Sequence, residues 1–178
     1  MKRNHIFIIS LLLLTSCMFI KVELTIKDRY ESAIKNNELN IELESKNICE
    51  LVHNDTIYGI KAAELTKCLN NIDKAIVYIW TPNCKGESCV SVGAVEDYCF
   101  ANGFDLFVVC TDYSPEAIKI QRTPKRPFFS INHLYYGSKI FGESHTSKFE
   151  KELINQESRE GRLLEFHNGE YKKSFNIN

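Results

Sequence analysis

The run Ala75-Ile-Val-Tyr-Ile-Trp80 and the break after it constrain this chain more than any other stretch. Six apolar residues, rich in β-branched and aromatic types, suit a strand buried on both faces. Thr81-Pro82-Asn83 ends that strand, because proline cannot continue a central ladder and asparagine favours a turn. Cys84 follows at once, and Val90, Val92 and Val95 sit among small and acidic residues as in a helix. A strand-to-helix junction predicts Cys84 near a helix N-terminus, where free N–H groups and the macrodipole favour a thiolate. Lys85 adds a neighbouring positive charge, and Cys89 is a natural resolving partner.

Around that stretch the pattern alternates. Ile48 to Ile60 predicts a hairpin, or a strand with a turn, about His53-Asn54-Asp55. Lys61 to Asn71 reads as a helix carrying Cys68 as a core residue. After the Cys84 helix, Asn102-Gly103 predicts a left-handed cap. Phe104 to Thr111 is a second buried strand, with Cys110 a core thiol inside it. Asp112 to Ser114 can cap the next helix, and Pro115 suits its first turn. Pro127 precedes the apolar Phe128-Phe129-Ser130-Ile131, and Ser147 to Gln156 reads as a helix. Asn168-Gly169, between alternating residues of 162–175, is a strong hairpin signal. Strand, helix, strand, helix argues for an α/β protein with a parallel core.

The N-terminus stands apart. Lys2 and Arg3 precede an apolar Ile6–Leu14 run, which Leu14-Thr15-Ser16-Cys17 closes. This is a secretory pattern, and its last four residues resemble the lipobox of bacterial lipoproteins. The resemblance implies cleavage before Cys17 and lipid on its sulfur. Residues 1–16 are then a signal peptide, 17–44 a tether with helical spacing, and 45–178 the folded domain. The expected location is the cell envelope, with the outer membrane favoured and the domain facing the periplasm.

Export permits disulfides among the six cysteines other than Cys17: Cys49, Cys68, Cys84, Cys89, Cys99 and Cys110. Sequence alone cannot choose among their fifteen possible connectivities. Zinc is not indicated, since Cys-x2-Cys pairs and paired histidines are missing. No cofactor is expected. A formal net charge of -1 does not suggest nucleic acid as a partner. His53, His133, His145 and His167 are scattered and read as surface or turn residues, and Lys125-Arg126 as a solvated loop.

Together, Ile76–Trp80, Thr81-Pro82-Asn83-Cys84, the helix and strand that follow, and the Asn168-Gly169 hairpin resemble the thioredoxin-like superfamily. The likeness covers about residues 45–175 and is greatest to membrane-tethered thioredoxin-like lipoproteins of Bacteroidetes-type bacteria. It implies a central mixed β-sheet flanked by helices. It also implies thiol–disulfide exchange with protein thiols of the envelope, Cys84 attacking and Cys89 resolving. Trp80 and Pro82 would then shape the partner-facing surface.

The departures open alternatives. The family's usual pair is Cys-x-x-Cys, whereas four residues separate Cys84 from Cys89. Along a helix that spacing rises about 7.5 Å and turns roughly 140°, whereas a disulfide needs Cα atoms within roughly 7 Å. A bridge therefore predicts a distorted or unwound first turn and a redox-linked rearrangement. Thr81, Cys84 and Cys89 also resemble the bacterioferritin-comigratory peroxiredoxins, in which a threonine orients the attacking cysteine and a late arginine, here Arg162, serves the site. The proline those proteins carry before the threonine is missing. The superfamily's cis-proline is either Pro127 or replaced by Gly161-Arg162, and the hairpin signal favours the second. Three functions follow: oxidoreductase, thiol peroxidase, or a non-catalytic binding module with a structural Cys84–Cys89 bridge.

Overall fold

The computed structural model describes residues 29–43, 47–52, 54–84, 86, 89–122, 124–137, 144–156 and 160–177. The signal segment, Cys17, His53 and Lys85 lie outside the described residues. A helix over 29–35 (α1) leads into β1 (Asn40–Glu42) and β2 (Thr56–Ile60). There follow α2 (Ala62–Leu69), β3 (Lys74–Trp80), α3 (Val92–Asn102), β4 (Asp105–Cys110) and α4 (Pro115–Lys119). The chain continues through β5 (Phe129–Ile131), α5 (His133–Tyr136) and α6 (His145–Ile154), and closes with β6 (Leu163–His167) and β7 (Glu170–Phe175). The seven strands form one mixed sheet in the order β1-β2-β5-β4-β3-β6-β7. The first five in that order run parallel, and β6 and β7 are antiparallel to their neighbours.

The sheet is buried on both faces because β3 and β4 are apolar at every position that points into a layer. Ala75, Val77 and Ile79 share one cluster with Leu65 and Leu69 of α2 and Phe149 and Leu153 of α6. Ile76, Tyr78 and Trp80 share the other with Val92, Val95 and Cys99 of α3 and with Ala117 and Ile118 of α4. The period of two along a strand sorts one apolar run into two cores.

Local chemistry sets the ends of the elements. In α2 the Lys61 N–H donates to Glu64 Oε2 at 2.8 Å, a helix-start contact that satisfies an orphan donor. Gly103 caps α3 at φ 70°, as its sequence predicts. In the β6–β7 turn Asn168 and Gly169 take φ 49° and 81°, the all-positive φ that a two-residue hairpin wants. Gly169 is also required sterically, since a Cβ there would run into the Asn70 side chain.

Three segments depart from expectation. The hairpin alternative for 48–60 does not form; a bend at Asp55 leads into β2, whose partners are β1 and β5. Cys68 is buried, as expected of a core residue, but it is also bonded to Cys49 with Cα atoms 5.1 Å apart. Arg126 does not sit in a solvated loop. It donates to the Cys49 carbonyl at 2.9 Å, and its guanidinium lies 4.6 Å from the Phe107 ring centre. The 29–43 segment packs on the sheet. Ala33 is buried, Arg29 pairs with Asp112, and the Tyr30 ring lies 4.7 Å from that of His133.

The Cys49–Cys68 bridge closes a loop of 19 positions, which in the chain-entropy account stabilises by about 3 kcal/mol. The Cys49→Ser/Cys68→Ser double variant is expected to lose about that much in urea-unfolding midpoint measurements under oxidising conditions.

Candidate redox loop and polar layer

β3 ends at Trp80, and the chain turns through Thr81-Pro82-Asn83. Asn83 takes φ 61°, a left-handed conformation that asparagine tolerates better than most side chains. The Cys84 N–H donates to the Thr81 carbonyl at 3.3 Å, closing the turn. Cys84 and Cys89 are joined as a disulfide with Cα atoms 5.7 Å apart, and both are half-buried. Within the loop the Cys89 N–H donates to the Gly86 carbonyl at 2.9 Å, and the Gly86 N–H donates to Cys89 Sγ at 3.1 Å.

This geometry corrects the sequence expectation of a helix beginning at Cys84. The helix starts at Val92, capped by Ser91, whose Oγ accepts from the Ala94 N–H at 3.2 Å. Both cysteines precede this cap and so lie in the loop before the helix. In this disulfide-bonded form none of the described residues from Cys84 to Val90 is helical, as the spacing argument requires of a bridge. Cys89, rather than Cys84, is the cysteine nearer the helix. Trp80 and Pro82 are also not partner-facing. Trp80 is 6% exposed, its ring 5.8 Å from Phe128, and Pro82 is buried.

Beside the loop, the carboxyl ends of the strands carry a layer of polar side chains. Thr81 Oγ1 accepts from Arg162 Nη1 at 2.9 Å and from Thr111 Oγ1 at 3.2 Å. A hydroxyl that accepts twice keeps its own proton for a third partner. Arg162 stands immediately before β6, and its carbonyl accepts from the Ile79 N–H at 3.0 Å. The structure thus brings Thr81 and Arg162 together at the start of the loop that leads to Cys84. Pro127 is not brought there. It precedes β5, which β4 separates from β3.

The layer continues on the far side of β4. Ser130 Oγ donates to the Tyr113 hydroxyl at 3.2 Å, and that hydroxyl lies 3.1 Å from His133 Nδ1. His145 Nε2 donates to the Thr111 carbonyl at 3.3 Å. Asn83 Nδ2 donates to Ser114 Oγ at 2.8 Å, tying the disulfide loop to the residues after β4. The sequence pattern reads the histidines as surface or turn residues. Instead His145 is 7% exposed and His133 Nε2 is buried without a partner among the described residues. Residues so far apart in the chain give no common signal. The hint available in sequence was position, because His133 follows the carboxyl end of a short apolar strand, and α/β proteins gather functional groups at such ends.

The two remaining thiols, Cys99 and Cys110, are buried and unbonded, and burial pushes both up, Cys99 to about 12. Neither is poised to ionise. His167 pairs with Glu165 at 2.8 Å, away from the loop. Among the described residues no group of three or more His, Cys, Asp or Glu could hold a metal ion, and no helix is long and apolar enough to cross a membrane. No protein-family profile, curated protein or solved structure matches the chain.

Burial holds His133 and His145 below the ordinary value of 6.5. For His133 the neighbouring His145 adds to the effect; for His145 Lys148 adds to it, while the Thr111 carbonyl opposes it. The unfolded chain then binds protons more readily than the folded one. The linked stability is complete above pH 6.5 and is lost as pH falls below it toward the depressed folded values. Unfolding free energies measured between about pH 7 and about pH 5 are expected to fall with acidity. His133→Gln and His145→Gln should each flatten that slope.

Proposed function

We propose that this chain is a thiol–disulfide oxidoreductase of the cell envelope, on a thioredoxin-like scaffold, working through Cys84 and Cys89. The observation that carries the reading is a half-exposed disulfide in the loop directly after the central strand of the sheet. Two further features support the scaffold. β3, α3 and β4 form a parallel unit, and the β6–β7 hairpin lies antiparallel beside β3. Gly161-Arg162 stands before β6, in the place where the resemblance puts a cis-proline. Lipid on Cys17 would hold the domain at the membrane, with protein thiols and disulfides of the envelope as its partners.

In the reducing direction the Cys84 thiolate attacks one sulfur of a substrate disulfide. That S–S bond breaks, and the departing sulfur takes a proton. The Cys89 thiolate then attacks Cys84 Sγ, releasing the second substrate thiol and leaving the Cys84–Cys89 bridge. One disulfide is reduced and one dithiol is oxidised, and an external dithiol restores the enzyme.

A second reading, a thiol peroxidase using the same cysteines, is favoured by one observation: Arg162 and Thr81 are hydrogen bonded beside the loop. There the Cys84 thiolate would cleave the O–O bond, and Cys89 would resolve the sulfenic acid with loss of water.

The reduced full chain is expected to turn over hydroxyethyl disulfide with a dithiol donor. Cys84→Ser should lower the rate by about a hundredfold or more, and Cys89→Ser should accumulate a mixed disulfide on Cys84. Failure of the intact dithiol to turn over would sink the oxidoreductase reading. Stoichiometric peroxide loss with a Cys84 sulfenate would establish the second.

A further inference from the structure

A cavity of about 410 Å³ opens beside the disulfide loop, within the size range of small-ligand sites, about 300–1,000 Å³. Thr81 belongs to both, its side chain lining the cavity and its carbonyl accepting from the Cys84 N–H at 3.3 Å. A larger cavity, about 500 Å³, lies by the N-terminal ends of β1 and β2. It is at the opposite end of the parallel strands, away from the cysteines.

The lining of the smaller cavity carries both signs of charge. The lining includes Arg162, Thr111, Thr146 and Asn176. Arg162 spends one N–H on Thr81 and pairs with no carboxylate among the described residues. Its remaining donors suit a carboxylate. Thr146 belongs to the first turn of α6, a ten-residue helix whose N-terminal end also favours negative charge. The Asn176 Oδ1 accepts from the Arg162 N–H at 3.0 Å, which fixes the amide beside the arginine. The same lining also includes Glu150, already engaged within the chain, and Glu160, which is exposed.

A simple anion here would meet two glutamates, and a simple cation would meet Arg162. A group carrying a carboxylate and an ammonium on one carbon finds a complementary partner for each charge in the same lining. We propose that this cavity binds the α-amino-carboxylate head of a small disulfide of the cystine type, with Arg162 taking the carboxylate and Glu160 the ammonium. The assignment rests on the redox reading above and names its substrate class. The substrate's sulfur, on the short side chain of that head, is then presented toward the loop that holds Cys84. The exchange is the one already written, with cystine as the disulfide reduced, two cysteines released and an external dithiol restoring the enzyme.

Two measurements on the full chain separate the site from the redox activity. Lanthionine carries the same heads on a thioether that cannot exchange, so its binding by calorimetry reads the cavity alone. Saturable binding at one site is expected, weakened about tenfold or more by Arg162→Gln and likewise by Glu160→Gln. The second measurement is the ratio of kcat/KM for cystine to that for cystamine, which lacks the carboxylates, and for dithiodipropionate, which lacks the ammonium groups. Cystine is expected to exceed both, and Glu160→Gln is expected to reduce its lead over dithiodipropionate. Glu160 is exposed, so that variant keeps the test open should Arg162→Gln fail to fold. Absent lanthionine binding, or binding unmoved by both substitutions, overturns the assignment even if hydroxyethyl disulfide is reduced. Binding as expected with no turnover of any disulfide upholds the site and overturns the redox reading instead.

Discussion

The structure depends on β3 being buried on both faces. A strand with β4 on one side, β6 on the other and a helical layer above and below has no solvent-facing position from Ala75 to Trp80. Ile76 and Val77 point to opposite layers and both are fully buried. Every polar or strained feature of this region is therefore displaced to the residues after Trp80. The turn at Thr81, the left-handed Asn83 and the disulfide all occur within the first nine positions after the strand stops. A rigid sheet with its irregular loop at the carboxyl edge is the arrangement in which α/β proteins place chemistry.

The same edge explains why side chains distant in sequence meet. Thr81, Thr111 and Ser130 belong to the ends of β3, β4 and β5, and Arg162 precedes β6. Pairing of these strands in one sheet brings the four ends side by side. Hydrogen bonds then run from Arg162 through Thr81 to Thr111, and from Ser130 to Tyr113 beside His133. The Asn83–Ser114 contact ties the disulfide loop to this layer, and Ser114 caps α4 by backbone position alone because its hydroxyl is used there. In turn α1 presses Tyr30 on Tyr113, with ring centres 5.3 Å apart.

Much of this was legible in the sequence where local chemistry decides it. The buried run 75–80, the Gly103 cap and the Asn168-Gly169 hairpin all formed where their residues put them. Each depends on neighbours within a few positions. The start of α3 was misplaced because a proline and a cysteine before a run of valines suggest a helix at once. The actual start waits for Ser91, whose hydroxyl satisfies a backbone N–H that nothing earlier satisfies. The Cys49–Cys68 bridge, the burial of His145 and the seat of Arg126 on Phe107 were not legible. They are set by which elements the sheet order makes neighbours, and that order is a property of the whole chain.

Moving the helix start changes the electrostatics of the cysteine pair. The macrodipole acts within about one turn of a helix end, and Cys84 lies eight positions before Val92. The helix therefore gives Cys84 little of the thiolate stabilisation that a junction cysteine would enjoy. What the loop offers instead is local. The Gly86 N–H already donates to Cys89 Sγ, and a hydrogen bond to a charged acceptor is worth roughly 1.5–3 kcal/mol. On reduction that donor favours charge on Cys89 over Cys84. Attack by Cys84 then needs its own source of stabilisation; Thr81, whose carbonyl accepts from the Cys84 N–H, carries a hydroxyl held by Arg162 and Thr111 with its own proton unspent. The polar layer at the strand ends is thus joined to the disulfide loop at two points, the Thr81 carbonyl and the Asn83–Ser114 contact.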